Sequence, residues 1–166
     1  MQKILTTTAV FVSILIIINA CQGDSSTENE AYATEWLGAS KTEILDNIED
    51  QFQGFSRTMT ETAYRYHELY WAGQDQNWEY AEYQREHIEE AMELGFLRRP
   101  DREASSQQFM SQALPNMKRV ISEEDKEKFL TEFTSLTASC NTCHAMEEVA
   151  FMTVKIPPKR NTVIYF

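Results

Sequence analysis

The spacing of apolar and polar side chains divides the chain into four stretches. An apolar run over residues 9–18 precedes a polar stretch, residues 22–30, that contains no large apolar side chain. Over residues 36–150 apolar residues recur mostly three and four positions apart, which places them on one face of a helix. Residues 151–166 alternate instead and include a proline pair, which favours an extended chain. The pattern therefore predicts an all-α domain followed by an extended C-terminal tail.

The first long segment of the domain shows the clearest helical periodicity. We expect one amphipathic helix that ends near Ala72 and Gly73, because glycine suits a helix terminus. The stripe of this helix consists of Leu45, Ile48, Phe52, Phe55, Met59, Ala63, Tyr66 and Tyr70.

Three more helices follow in the pattern. Asn77 is expected to cap the second helix, and Gly95 and residues 98–101 mark the break that follows it. Pro115 interrupts the third, which is expected to form two short pieces or to restart at the proline. Residues 122–125 resemble a capping box before the fourth helix. The inward face of that helix carries Phe129, Phe133, Leu136, Cys140, Cys143 and His144.

The amino terminus has the features of an export signal. Lys3 precedes the apolar run over residues 9–18, which is far shorter than the roughly 20 residues that a membrane-spanning helix needs. Residues 1–20 are therefore expected to be a cleaved signal peptide. Residues 18–21 resemble a bacterial lipoprotein box, so Cys21 is expected to become the lipidated first residue of the mature chain. An ordinary secretory signal with an incidental cysteine is the alternative.

Composition narrows the partners of the exported protein. Residues 21–35 form a polar tether, and residues 36–150 suffice for one domain with one core. The formal net charge is −11, which argues against nucleic acid and anionic lipid surfaces as partners. This charge permits docking to a basic redox partner, although plain solubility explains it equally well. The expected location is the periplasmic side of a bacterial envelope, with a lipid anchor at Cys21.

The motif Cys140-Asn141-Thr142-Cys143-His144 is the C-x-x-C-H pattern of covalent c-type haem attachment. Two thiols three residues apart lie on one side of a helical turn, so both can form thioethers with the vinyl groups of one porphyrin. The histidine that follows supplies the iron ligand. Half of a zinc site, a thioredoxin-type redox pair and a chance pair of cysteines are the alternatives.

The cysteine count agrees with the haem interpretation. The chain has three cysteines, so one for lipid and two for haem leave none for a disulfide. Bacterial c-type haem is attached on the periplasmic side, and the export signal would deliver the motif to that compartment. The two ends of the chain thus predict one covalent haem c in an exported protein.

Amphipathic helices with the haem motif near the carboxyl end resemble the cytochrome c′ family. The resemblance implies an antiparallel four-helix bundle with thioethers at Cys140 and Cys143 and with His144 as the proximal ligand. It also implies an apolar residue over the distal face, a commonly five-coordinate iron and pairing as a homodimer. Glu148, where the family commonly has a basic residue, and the tail of residues 151–166 differ from the family pattern.

Candidates for a sixth iron ligand come from the apolar stripes. Met59 lies at the centre of the first stripe and could supply a thioether, or simply fill the core beside the porphyrin. His67 lies on the flank of that stripe, where a boundary residue hydrogen-bonded to a neighbour is expected. His87 is expected to face solvent. Weaker candidates are Met92, Met110, Met117, Met146 and Met152.

These residues predict a membrane-tethered periplasmic electron carrier with an unidentified redox partner. A five-coordinate haem that binds nitric oxide or carbon monoxide, for sensing or detoxification, is the alternative function. No enzymatic activity is expected: a peroxidase would need a distal histidine with an arginine, and Arg65 and His67 face different directions on a helix. A lipid-anchored scaffold without haem would be colourless.

Overall fold

A computed structural model of the chain describes residues 33–161. The predictions for the signal peptide, for Cys21 and for most of the tether lie outside the described residues. Every regular element within residues 33–161 is helical, and no strand occurs among them. This part of the chain is therefore all-α, as the periodicity predicted. None of its helices is long and apolar enough to cross a membrane.

The described part of the chain divides into two compact units, with the boundary after Phe52. In the first unit, residues 33–37 are helical and helix α1 spans Lys41–Phe52. A capping box starts α1: the Glu43 amide donates to Ser40 Oγ at 3.2 Å, and the Ser40 amide donates to Glu43 Oε2 at 3.0 Å. The hydrogen bonds from Ser40 and the Ala39 amide lower the pKa of Glu43.

The prediction of one long first helix is wrong, because the chain breaks between α1 and the next helix. Gln53 has a φ of +59°, a left-handed conformation that cannot continue a right-handed helix. Helix α2 then begins at Phe55, after Gly54 in extended backbone. Phe52 and Phe55 are three residues apart, so the helical spacing of apolar residues continues across the break and hides it.

Four helical segments of the second unit surround one core. The elements are α2 (Phe55–Gln74), α3 (Trp78–Arg98), a 3₁₀ turn (Pro100–Arg102), α4 (Glu103–Gln108), a π-helical turn (Phe109–Ala113), α5 (Leu114–Ser122) and α6 (Lys126–Met146). Helix α2 contacts α3, α3 contacts α5, α5 contacts α6, and α6 contacts α2, so the four segments close a ring.

Side-chain caps define where α3 and α6 begin. Asn77 accepts a hydrogen bond from the Tyr80 amide at 3.1 Å, which confirms the predicted cap of α3. The cap of α6 is Asp125, whose Oδ1 accepts from the Glu127 and Lys128 amides at 3.0 and 3.1 Å. The capping box predicted at residues 122–125 is therefore wrong: α5 continues through Ser122, and α6 is capped by the Asp125 side chain alone.

Two glycines serve close packing between helices. The break predicted at residues 98–101 is confirmed, because α3 ends at Arg98. Gly95 itself lies inside α3, where a Cβ would stand 2.6 Å from Thr58 Oγ1 on α2. A Cβ on Gly73, near the end of α2, would overlap the ring of Phe129 on α6. Both positions need glycine because a neighbouring side chain occupies the space of a Cβ.

The third helix restarts at Pro115, as expected. Pro115 lies in the first turn of α5, and the five residues before this helix form the π-helical turn. Proline has no amide hydrogen, so the carbonyl of Ser111 loses its usual partner four residues on. The Leu114 amide instead donates to the carbonyl of Phe109, five residues back. The turn places Phe109 in the core at 5 % exposure.

After α6 the chain returns along α2 in irregular backbone. The hydroxyl of Tyr66 donates to the carbonyl of Lys155 at 3.4 Å, and Arg160 forms an ion pair with Asp75 at the end of α2. Residues 153–161 are neither helix nor strand. The tail therefore follows α2 from its middle to its C-terminal end.

Candidate haem site

One end of the second unit contains a cavity of about 490 Å³. Cofactor and ligand sites in proteins typically enclose about 300–1,000 Å³ and are mostly apolar. One wall comes from α6 and the tail, and the other comes from α2, α3 and the π-helical turn. No Lys, Arg, Asp or Glu is among the fourteen described residues of the lining, which are Met59, Thr62, Ala63, Tyr66, Ile88, Met92, Phe109, Cys140, Cys143, His144, Phe151, Met152, Thr153 and Val154.

All three chemical groups of the C-x-x-C-H motif line this cavity. The last two turns of α6 carry Cys140, Cys143 and His144. These residues lie on the same face of the helix as the side chains that its first half buries in the core. Both cysteines are free thiols. The structure thus brings the predicted attachment residues together at the edge of a space large enough for a prosthetic group.

A backbone carbonyl of the tail orients the His144 ring. Nδ1 of His144 lies 2.6 Å from the carbonyl oxygen of Met152. A carbonyl only accepts hydrogen bonds, so Nδ1 donates and Nε2 is the nitrogen left with a free lone pair. Metal-ligating histidines are commonly oriented in this way, by a hydrogen bond on the nitrogen that does not bind the metal.

The side chain of Asn141 holds the tail in the position that this contact needs. Its amide nitrogen donates to the carbonyl of Val154 at 3.0 Å, and its oxygen accepts from the Val154 amide at 2.8 Å. Asn141 is one of the two unspecified positions of the motif, and sequence reasoning assigned it no role. The motif therefore also carries the residue that fixes the tail beside the cavity.

The chemistry of Cys140 does not favour a redox dithiol. Burial, with a smaller contribution from Cys143, raises the pKa of Cys140 to about 12. Catalytic cysteines of thiol–disulfide exchange have lowered pKa values and often lie at helix N-termini, whereas Cys140 is in the C-terminal half of α6. Among residues 33–161 no group of three or more His, Cys, Asp and Glu side chains could hold a metal ion.

The candidate sixth ligands separate into two groups. Met59 of α2 lines the cavity, and so do Met92 of α3 and Met152 of the tail. Met117 is fully buried and Met110 partly buried, both outside the lining, and Met146 is exposed. Of the predicted thioether candidates, Met59 and Met92 therefore lie in the wall opposite α6.

The histidines outside the motif do not line the cavity. His67 Nε2 lies 3.3 Å from the carbonyl oxygen of Lys159 and 3.3 Å from Trp71 Nε1, so its polar neighbours are in the tail and on its own helix. His87 stacks on Tyr83, with ring centroids 4.0 Å apart. Arg65, the other half of a peroxidase-like pair, donates to Glu61 at 2.8 Å and lies outside the lining as well.

Two polar side chains of α2 lie in the cavity wall, and sequence reasoning gave neither a role. The hydroxyl of Tyr66 is 2.6 Å from Thr137 Oγ1, and burial raises the pKa of Tyr66 to about 12. The hydroxyl of Thr62 is buried without a hydrogen-bond partner. The only sequence signal for Thr62 is its position three residues after Met59, one turn along the same helix.

Comparisons with known proteins add no relative to this description. No protein-family model, no curated protein and no solved structure matches the chain. The likeness to cytochromes c′ stays a prediction from the sequence.

Proposed function

We propose that this chain is a c-type cytochrome with a single haem in the cavity. Thioethers from Cys140 and Cys143 attach the haem, and Nε2 of His144 coordinates its iron. The observation that carries the proposal is that all three motif groups line one apolar cavity of about 490 Å³, with the His144 ring held by Met152. In this proposal α2, α3, the α4–α5 segment and α6 are the four helices of an antiparallel bundle, and the haem fills its hollow end.

The protein acts in this proposal as a membrane-tethered electron carrier. Haem supplies one-electron chemistry, and the chain supplies the axial ligand, an apolar surrounding and access for a partner. Phe151 lines the cavity and is 82 % exposed, so the cavity reaches the surface at the tail. One edge of the haem would lie close enough to solvent for a partner to approach. Cys21 would hold the carrier at the periplasmic face of a membrane.

A gas-binding haem is the second candidate function. The composition of the wall opposite α6, which comes from α2, α3 and the π-helical turn, favours it. The described residues of that wall include no histidine, and the Tyr66 hydroxyl is bound to Thr137 at 2.6 Å. The thioethers of Met59 and Met92 are then the remaining candidates for a sixth ligand. An iron without a firmly held sixth ligand would leave that position open for nitric oxide or carbon monoxide.

Covalent attachment is tested by expressing the full chain in a host that matures c-type cytochromes. The wild type should retain haem through denaturation, and the double variant Cys140→Ala/Cys143→Ala should lose all of it. Cys21→Ser is the matched cysteine control: it should keep the haem but leave the membrane fraction. A wild-type chain without covalent haem would exclude both candidate functions.

The absorption spectrum of the reduced protein, before and after carbon monoxide, separates the two candidates. An unchanged spectrum identifies a carrier with a firmly held sixth ligand, and Met59→Leu should then make the iron accessible. A large shift identifies an open position and supports the gas-binding function. His144→Ala should alter the spectrum while haem stays attached, whereas His87→Ala, outside the cavity, should leave the spectrum unchanged.

A further inference from the structure

Thr62 is a buried polar residue whose hydroxyl has no partner in the protein. The residue is 9 % exposed and lines the cavity from α2. Its Oγ1 is buried and makes no hydrogen bond. Buried polar groups in native proteins are almost always hydrogen-bonded, and an exception commonly marks a site where a ligand or water supplies the missing contact.

Thr62 lacks the backbone hydrogen bond that several other helical threonines of this chain make. A threonine in a helix can donate to the carbonyl four residues back, which satisfies the hydroxyl locally. Thr62 makes no such bond to the carbonyl of residue 58. The threonines that do bond four residues back are Thr60, Thr131, Thr134, Thr137 and Thr142.

The composition of the lining restricts what could accept a hydrogen bond from Thr62. This step depends on the proposed haem. A haem carries two propionates, but the cavity lining contains no Lys or Arg, and burying an unpaired carboxylate is costly. The propionates would therefore lie at the exposed mouth near Phe151, not beside a buried hydroxyl. The acceptor at Thr62 must be an uncharged atom in the interior of the site.

We propose that Thr62 donates its hydroxyl hydrogen to a small uncharged diatomic ligand held by the haem iron at its sixth position. The geometry behind this proposal is the placement of Thr62 in the wall of α2 and α3, whereas His144 comes from α6. An apolar wall would bind any such ligand by size alone. The other hydroxyl of that wall, on Tyr66, is bound to Thr137, so the Thr62 hydroxyl is the one left to favour ligands whose outer atom gains negative charge on the iron.

The test uses the reduced holoprotein with carbon monoxide as the probe. In Thr62→Val, which keeps the side-chain shape but removes the hydroxyl, the C–O stretching frequency should rise. Carbon monoxide should also dissociate roughly two- to tenfold faster, the factor that corresponds to one net hydrogen bond. Thr62→Ser should restore both values. Thr60→Val is the matched control on the same helix, because Thr60 is exposed and bonded to the carbonyl of Ser56.

The outcomes separate this proposal from the haem assignment. Absence of haem would refute the haem site itself. A haem spectrum that does not change with carbon monoxide would be consistent with the electron carrier and would contradict the role of Thr62. Identical C–O stretching frequencies and dissociation rates for the wild type and Thr62→Val would also contradict that role. A measurement without haem adds to the test: Thr62→Val should melt at a higher temperature in the haem-free protein, and a lower melting temperature would reveal a protein partner for the hydroxyl.

Discussion

The two halves of α6 face the same core but meet different surroundings. In the first half, Phe129, Phe133 and Leu136 are fully buried, and the ring of Phe133 lies 4.7 Å from that of Tyr66 and 5.0 Å from that of Tyr70 between centroids. In the second half the inward side chains are two thiols and an imidazole beside the cavity. We call these ends of the unit the aromatic end and the cavity end.

The contrast places the motif residues at the open end of the core. Protein interiors are close-packed, and voids much larger than a water molecule are few. This chain fills the aromatic end with large rings and leaves about 490 Å³ where the haem motif stands. A haem would fill the space between the motif residues of α6 and the wall formed by α2, α3 and the π-helical turn.

Truncating a core side chain should cost more at the aromatic end than at the cavity end. In the haem-free protein, Phe133→Ala should lower the free energy of unfolding by about 3–5 kcal/mol, because it opens a new void. Ile88→Ala should lower it by about 2 kcal/mol, since Ile88 already borders a cavity. Urea unfolding of both variants measures the difference, and equal losses would show that the cavity end is packed as firmly.

Burial of Cys140 should make this thiol slow to react before haem is attached. Its pKa is raised from 9.0 to about 12, so the thiolate fraction near pH 8 falls by about three orders of magnitude. Alkylation of Cys140 in the folded haem-free protein should therefore accelerate about tenfold per pH unit up to about pH 12. Mass spectrometry of the labelled peptide follows the rate, with urea-unfolded protein as the control. A rate in folded protein equal to the unfolded rate would mean that Cys140 is open to solvent.

Enlarging a side chain should also destabilise the aromatic end more than the cavity end, because only the cavity end has room for added atoms. Gly73→Ala places a methyl group in the ring of Phe129 and should cost about 1–3 kcal/mol in the free energy of unfolding. Ala63→Leu at the cavity wall should be close to neutral in the haem-free protein but should hinder haem insertion. Thermal unfolding and haem content measure the two effects. A neutral Gly73→Ala would contradict the tight packing of the aromatic end.

Loss of the α6 cap should have the smallest effect and should not distinguish the two ends. Asp125→Ala removes the acceptor for the Glu127 and Lys128 amides and should lower the free energy of unfolding by about 1 kcal/mol. Haem content should stay unchanged, because the cap lies at the aromatic end of α6. A large loss of haem in this variant would show that the whole helix must be rigid for attachment.

The sequence predicted those features that repeat along a helix or depend on one residue type. The apolar periodicity predicted the all-helical class. Asn77 was correctly predicted to cap the second helix, and Pro115 to mark the point where the third helix restarts. The motif residues of α6 share one face because Cys140, Cys143 and His144 continue the spacing of the buried stripe. Each of these predictions uses contacts within a few residues of the chain.

The features that the sequence did not reveal depend on contacts between distant segments or on backbone conformation. The break at Gln53 leaves the spacing of apolar residues intact, so the pattern does not show it. Gly95 lies inside α3, where it leaves room for Thr58 of α2 and does not end the helix. The contact between His144 and Met152 uses a carbonyl, which every residue has, so no side-chain pattern signals it. The free hydroxyl of Thr62 is visible only when the partners of every threonine are known.

The order of residues in the chain gives the contact between Met152 and His144 a consequence for biogenesis. His144 is synthesised eight residues before Met152, whose carbonyl holds its ring. If the chain binds haem as proposed, the thiols of Cys140 and Cys143 would therefore be present before the tail can orient the imidazole. Attachment of the porphyrin and alignment of the iron ligand would then be two separate steps, and a change in the tail would affect only the second.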